Sequence, residues 1–86
     1  MNNLKRFTEA QYRDYEQALK EIKNGRKESH WMWYIFPQLK GLGRSYTSDF
    51  YGIVVLDEAK AFLQDPYLGK HLQEISEALL LSLIHI

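Results

Sequence analysis

The sequence predicts a small all-α domain of about four to five helices, and three features of the chain support this fold class. Apolar residues recur at helical spacing over two long stretches, glycine and proline stand at the ends of those stretches, and the connections between them are short. Apolar residues make up 45% of the 86 residues, which is enough for the core of one domain. We therefore expect residues 4–80 to fold as a single helical domain.

The first helix is predicted to begin near Thr8, because T-E-A-Q has the form of a capping box in which Thr8 and Gln11 would pair. One apolar stripe follows at steps of three and four residues: Tyr12, Tyr15, Leu19 and Ile22. Asn24 and Gly25 then provide a left-handed stop, so the helix is expected to end there.

The clearest helix is predicted near the end of the chain. Asp65 and Pro66 have the form of an N-cap followed by a first helical residue. A second apolar stripe comes after them: Leu68, Leu72, Ile75 and Leu79. Residues 56–63 are expected to form the preceding helix, whose inner face would comprise Ala59, Phe62 and Leu63.

The middle of the chain is harder to assign. Residues 31–36 are six consecutive apolar residues without a clear period, so a short helix and a strand both fit. A helix capped by Ser29 and ended by Pro37 is the favoured assignment. Residues 39–44 contain two glycines and are predicted to form a loop, and residues 46–53 a further short helix.

Composition excludes several functions. Eleven basic residues balance eleven acidic ones, so we expect no nucleic-acid binding, and the absence of cysteine excludes disulfides and thiolate metal sites. His30, His71 and His85 lie far apart in sequence, so neither a metal nor a cofactor is expected. No apolar signal segment and no stretch of about 18 apolar residues occurs, which favours a soluble cytoplasmic protein with no membrane contact.

The stretch from Gly25 to Ser45 concentrates the side chains suited to ligand binding. It combines fixed positive charge, hydrogen-bonding groups and flat aromatic surface, which together suit a small anionic or nucleotide-like molecule. An aromatic face would hold the base, while arginine and the amides of the glycine loop would hold phosphate. The candidate ligand-binding residues are Arg26, His30, Trp31, Trp33, Gln38, Arg44 and Ser45.

Two other functions remain open for the same stretch. The domain could be an enzyme that acts on such a ligand, with His30 as a weak candidate for the proton carrier. It could instead be a scaffold or protein-interaction module, because tryptophans in a small domain more often belong to the core and paired glycines more often serve a tight turn.

The motif G-R-K-E-S-H-W-M-W-Y-I-F-P-Q-L-K-G-L-G-R-S, residues 25–45, resembles the signature of the bacterial domain-of-unknown-function family 1810. The likeness extends to R-F, Y-G-I, L-D-E-A-K-A-F-L and D-P-Y-L-G-K-H-L elsewhere in the chain. The resemblance implies a compact helical fold, no established activity, and a domain that continues past the end of this chain. Members are sometimes labelled calpastatin, but inhibitory segments of that kind are disordered, whereas this chain is rich in core residues.

The last six residues, 81–86, resemble the translation of an adapter used in sequencing libraries. We therefore predict that this segment is non-native, in which case His85 has no role. The alternative is that residues 81–86 are a genuine apolar end of the last helix.

Overall fold

The computed structural model describes residues 4–26 and 31–84, and within these ranges the chain forms five helices. They are α1 (Lys5–Lys23), α2 (Met32–Ile35), α3 (Tyr46–Tyr51), α4 (Leu56–Gln64) and α5 (Pro66–Ile84). Over the same ranges the backbone contains no strand, only an isolated parallel bridge between Leu39 and Ile53. The predicted all-α fold class is therefore confirmed, and the apolar segment 31–36 is helical rather than extended at its centre.

Helix α1 lies at the centre of the molecule and packs mainly against α5 and α2. The ring of Phe7 at its start meets Phe62 of α4 edge to face, with the ring centroids 5.0 Å apart. Among the described residues, the buried hydrophobic ones are Phe7, Ala10, Tyr15, Ala18, Leu19, Ile22, Trp31, Tyr34, Ile35, Ile53, Phe62, Leu68 and Ile75.

No helix in the described part of the chain is long and apolar enough to cross a membrane.

The predicted start of the first helix is wrong. Helix α1 begins at Lys5, three residues before the expected cap, and the hydroxyl of Thr8 donates to the Lys5 carbonyl at 3.1 Å. The side chain of Gln11 is buried in the core instead of closing a capping box. The physical reason is that the fully buried Phe7 requires an ordered first turn at this position.

The rest of α1 follows the sequence pattern closely. Tyr15, Leu19 and Ile22 are buried as predicted, whereas Tyr12, at the edge of the same stripe, is exposed. Gly25 has a φ of 69° and its amide donates to the Ile22 carbonyl at 2.9 Å, which confirms the predicted stop.

The junction of α4 and α5 is capped as predicted. The Oδ1 atom of Asp65 accepts hydrogen bonds from the amides of Tyr67 at 2.9 Å and Leu68 at 3.0 Å. Pro66 needs no such partner because it has no amide hydrogen. One side chain thus accepts hydrogen bonds from two backbone amides in the first turn of α5 that have no partner within the helix.

The inner faces of the last two helices are predicted correctly in most positions. Phe62, Leu68 and Ile75 are fully buried, and Ala59 packs against the core. Leu79, expected on the inner face of α5, is exposed, and so is Leu63, expected on the inner face of α4. That face is shared between Phe62 and the buried Glu58, four residues apart, so Leu63 is turned away from α1.

A buried ion pair fixes α1 against α4. The guanidinium of Arg6 donates to both carboxylate oxygens of Glu58, at 2.8 and 3.0 Å, and its Nε donates to the Phe50 carbonyl at 2.9 Å. The two charged side chains are only 9% and 11% exposed. Bidentate geometry and burial make this pair far more sensitive to the loss of one partner than a surface pair would be.

We expect Arg6→Met to lower the free energy of unfolding by about 3 kcal/mol, because Glu58 would remain buried without its partner. Lys5→Met is the matched control, since the neighbouring Lys5–Glu9 pair is exposed and should contribute about 0.5 kcal/mol or less. Urea denaturation of both variants measures the difference. Equal losses of stability in the two variants would contradict a structural role for the buried pair.

Candidate functional site

The structure distributes the described candidate residues between two places. Arg26 and Trp31 line one cavity near the end of α1. Trp33 of α2 packs against Gly43 of the glycine loop, and Arg44 and Ser45 follow that loop on the way into α3. His30 lies outside the described residues, so its predicted role as a ligand contact or proton carrier stays a prediction.

Trp31 is held in place by a buried carboxylate. Its side chain is 2% exposed, and the indole Nε1 donates to Glu21 Oε1 at 2.9 Å. Gln17 donates to the other carboxylate oxygen of Glu21, also at 2.9 Å. Since the indole N–H is already used and the side chain is almost wholly buried, Trp31 forms part of the apolar wall of the cavity and offers no further hydrogen-bond donor.

The cavity beside Trp31 has a volume of about 240 Å³ and lies between the end of α1, helix α2 and the last turns of α5. It adjoins a wider cleft of about 720 Å³ between α1 and α5, which also has Gly25 and Ser82 in its lining. The residues that line the smaller cavity are Ile22, Gly25, Arg26, Trp31, Met32, Phe36, Leu79, Ser82 and Leu83.

The glycine loop packs tightly around the second tryptophan. A Cβ atom added to Gly43 would lie 2.7 Å from the ring of Trp33 and 2.9 Å from Ser48, so only glycine fits at this position. The Ser45 hydroxyl accepts the Ser48 amide at 3.1 Å and caps α3. Arg44 beside it is exposed. Close packing and capping thus account for Gly43 and Ser45 without a ligand.

Gln38 lies at the base of this loop. Its side-chain Nε2 donates to the Phe36 carbonyl at 3.2 Å, and its backbone carbonyl accepts a hydrogen bond from the Ile53 amide at 2.9 Å. The Lys40 amide donates in turn to the Ile53 carbonyl at 3.0 Å. Gln38 therefore helps to close the loop, and its predicted contact with a ligand remains a prediction.

Gln11 and His71 form a hydrogen-bonded pair that is not among the residues predicted from the sequence. Gln11 is 1% exposed; its Nε2 donates to the Tyr34 carbonyl at 2.7 Å, and its Oε1 lies 2.9 Å from His71 Nδ1. Because the amide nitrogen serves the carbonyl, the Oε1 atom can only accept. His71 Nδ1 must therefore carry the hydrogen, which leaves the lone pair of the neutral ring on Nε2.

Two aromatic rings contact the imidazole of His71. Tyr15 stacks on it at 3.6 Å with an interplanar angle of 6°, and Tyr67 lies 4.3 Å away. Burial lowers the pKa of His71, although the charges of Glu74 and Glu16 act in the opposite direction. The ring is consequently neutral at neutral pH.

The hydroxyl of Tyr15 donates to Glu74 at 2.6 Å, and burial together with this hydrogen bond raises the pKa of Tyr15. The sequence does show that Gln11 and Tyr15, like Tyr67 and His71, are four residues apart and so share a helix face, but it does not show that the two faces meet.

A second polar cluster lies on the other side of Tyr34. Its hydroxyl donates to Asp14 at 2.5 Å, and Arg13 lies 3.0 Å from the same carboxylate oxygen. Burial, and then the hydrogen bond to Asp14, raises the pKa of Tyr34 to about 12. Burial also acts to raise the pKa of Asp14, but the hydrogen bonds from Arg13 and Tyr34 lower it overall.

Throughout residues 4–26 and 31–84, no three acidic or histidine side chains are grouped as a metal site would require.

We predict that His71 titrates below the ordinary value of about 6.5, with Nε2 unprotonated in the neutral form. The unfolded chain takes up this proton more readily, so the contribution of His71 to stability is complete above about pH 6.5 and is lost as the pH falls toward the folded pKa. Nitrogen-15 NMR of the imidazole measures both the tautomer and the pKa.

Denaturation at pH 7.5 and 5.5 provides the control for this prediction. His71→Gln should lose less stability between these two pH values than the original chain loses, because the titrating group is absent. An Nε2-protonated tautomer, or equal losses in both proteins, would contradict the assignment.

Comparisons with known proteins give a family and one solved structure. A family model described as "Protein of unknown function (DUF1810)" matches residues 1–84. The sequence is 47% identical to that of the conserved hypothetical protein Rv1873 from Mycobacterium tuberculosis, whose crystal structure is known. The two structures have a TM-score of 0.83, and the match covers 88% of this chain. The match spans 54% of that chain, about half its length. A comparison with curated proteins found no match.

Proposed function

We propose that this chain, which belongs to the DUF1810 family, binds a small anionic ligand that carries a flat apolar ring. One observation carries the proposal: two of the residues predicted to bind the ligand, the basic Arg26 and the aromatic Trp31, line the same cavity. We place the ring of the ligand in this cavity and its anionic group beside Arg26. A nucleotide-like molecule has both parts, and we expect the binding to occur in the cytoplasm.

The apolar part of the proposal rests on the walls contributed by α1 and α2. Ile22, Trp31, Met32 and Phe36 surround the space with hydrocarbon and aromatic surface. Glu21 occupies the indole N–H, so these walls favour a ring over a strongly polar group. A volume of about 240 Å³ is small for a ligand cavity, so one ring or base would fill it and the rest of the molecule would lie in the adjoining cleft.

The anionic part rests on the charge at the end of α1. Lys20, Lys23 and Arg26 follow one another at intervals of three residues. The opposite wall of the adjoining cleft carries Glu74 and Glu77, so an anion is expected on the α1 side. Arginine suits this position because its planar guanidinium can make two hydrogen bonds to one phosphate or carboxylate.

The α5 side of the cavity includes Ser82 and Leu83, which fall in the segment predicted to be non-native. The proposed contacts with the ligand therefore come from α1, α2 and the residues that flank them, and the α5 side serves only to enclose the ring. The enzymatic alternative, with His30 as proton carrier, and the scaffold alternative stay predictions.

Adenosine monophosphate and adenosine form the first pair of probes, because they share the base and differ in the phosphate. We expect the monophosphate to change tryptophan fluorescence saturably and to raise the melting temperature, and adenosine to bind more weakly. Arg26→Gln should weaken binding of the monophosphate by about tenfold, the loss expected for one charge-assisted hydrogen bond.

Arg44→Gln is the matched control, since Arg44 is the exposed arginine beside the glycine loop. Unchanged binding in this variant and weaker binding in Arg26→Gln would support the cavity. Loss of binding in Arg44→Gln alone would assign the ligand to the glycine loop instead. If neither probe binds and no other ring-bearing anion does, the proposal fails.

A further inference from the structure

We infer that a separate cleft, between the first half of α1 and the start of α5, binds a small solute with a quaternary ammonium group. The cleft has a volume of about 400 Å³, and its lining comprises Thr8, Glu9, Tyr12 and Tyr67. None of these residues lines the cavity beside Trp31, so the inference does not depend on the proposed function.

Two aromatic rings from different helices give the cleft its character. Tyr12 of α1 is 87% exposed although it belongs to the apolar stripe of that helix, whereas Tyr67 in the first turn of α5 is partly covered. Tyr67 is positioned by its contact with the ring of His71 at 4.3 Å. Faces of tyrosine rings attract cations through the ring quadrupole, and pairs of such rings are typical of sites for methylated ammonium groups.

The charges around the cleft favour a cation. Glu9 lines it, and Glu16 is close enough to Tyr67 to act on the phenol. Burial first, and then the influence of Tyr12 and Glu16, raises the pKa of Tyr67, so the phenol stays neutral at neutral pH. Lys5 is the cation paired with Glu9, at 3.6 Å, but that pair is exposed and weak, so it competes little with a ligand.

The side chain behind Tyr67 does not repel a cation. His71 is neutral at neutral pH because burial lowers its pKa, and the hydrogen bond to Gln11 fixes its tautomer. The charged groups that act on His71 are Glu74, Glu16 and Lys70, so negative charge outweighs positive charge near the imidazole.

The composition of the cleft selects the kind of cation. A metal ion requires several carboxylate or histidine ligands, and the described residues contain no group of three. A primary ammonium group requires hydrogen-bond acceptors for each of its protons. A quaternary ammonium group has no such protons and is weakly hydrated, so it gains most from ring faces with a nearby carboxylate.

NMR titration of the full chain with choline, and separately with 3,3-dimethylbutan-1-ol, provides the test. The two probes have nearly the same shape, but only choline is charged. Choline is expected to shift the ring resonances of Tyr12 and Tyr67 saturably, at concentrations where the neutral alcohol does not. Tyr67→Leu and Tyr12→Leu should each weaken choline binding by about fivefold.

Tyr46→Leu is the matched control, because Tyr46 is also highly exposed but lies on α3, and it should leave choline binding unchanged. Tyr12→Leu keeps the test decisive if Tyr67→Leu disturbs the fold, since an exposed side chain can be replaced without opening the core. Equal binding of the neutral alcohol, an equal effect of Tyr46→Leu, or the absence of saturable shifts would each overturn the inference. Arg26→Gln should have no effect, which separates this site from the proposed anion site.

Discussion

The side-chain amide of Gln11 fixes the relative positions of three helices. It lies in the first half of α1 and is bonded at one end to the Tyr34 carbonyl of α2 and at the other to His71 of α5. A buried amide that lacks a partner costs about 1–3 kcal/mol, so both bonds have to form together. Any shift of α2 or α5 along α1 by one turn would break at least one of them. The apolar stripes bring the helices together, and Gln11 specifies the register.

This constraint explains how a helix as short as α2 keeps its place. Four residues cannot form a stable helix alone, because helix nucleation is unfavourable and nearly all of its backbone groups are terminal. Gln11 donates a hydrogen bond to the Tyr34 carbonyl, and Glu21 accepts one from the indole of Trp31. Both Gln11 and Glu21 belong to α1, so α1 holds this wall of the cavity in place.

Local patterns predicted the parts of the fold that depend on neighbouring residues, such as the cap at Asp65 and the stop at Gly25. They failed where a distant partner decides the outcome. Thr8 begins a capping-box pattern, but the helix starts earlier, at Lys5. Phe7 is buried against α4, and adjacent residues cannot reveal that contact. Arg26 and Trp31 lie in one short motif, so their place in the lining of the same cavity was within reach of sequence reasoning. The contact between Gln11 and His71, which are 60 positions apart, was not.

The bridge between Leu39 and Ile53 has a consequence for the dynamics of the domain. Its two backbone hydrogen bonds tie the ends of the loop that carries α3 to each other, while Arg6 of α1 donates to the Phe50 carbonyl and Ile53 is buried in the core. We expect only the exposed tip of this loop, at Gly41 and Leu42, to open at a lower free energy than global unfolding, because the contacts of Arg6 and Ile53 hold the rest of the loop against the central helices. Closing a somewhat longer loop costs little additional entropy, so this is also where homologous chains can tolerate insertions most readily.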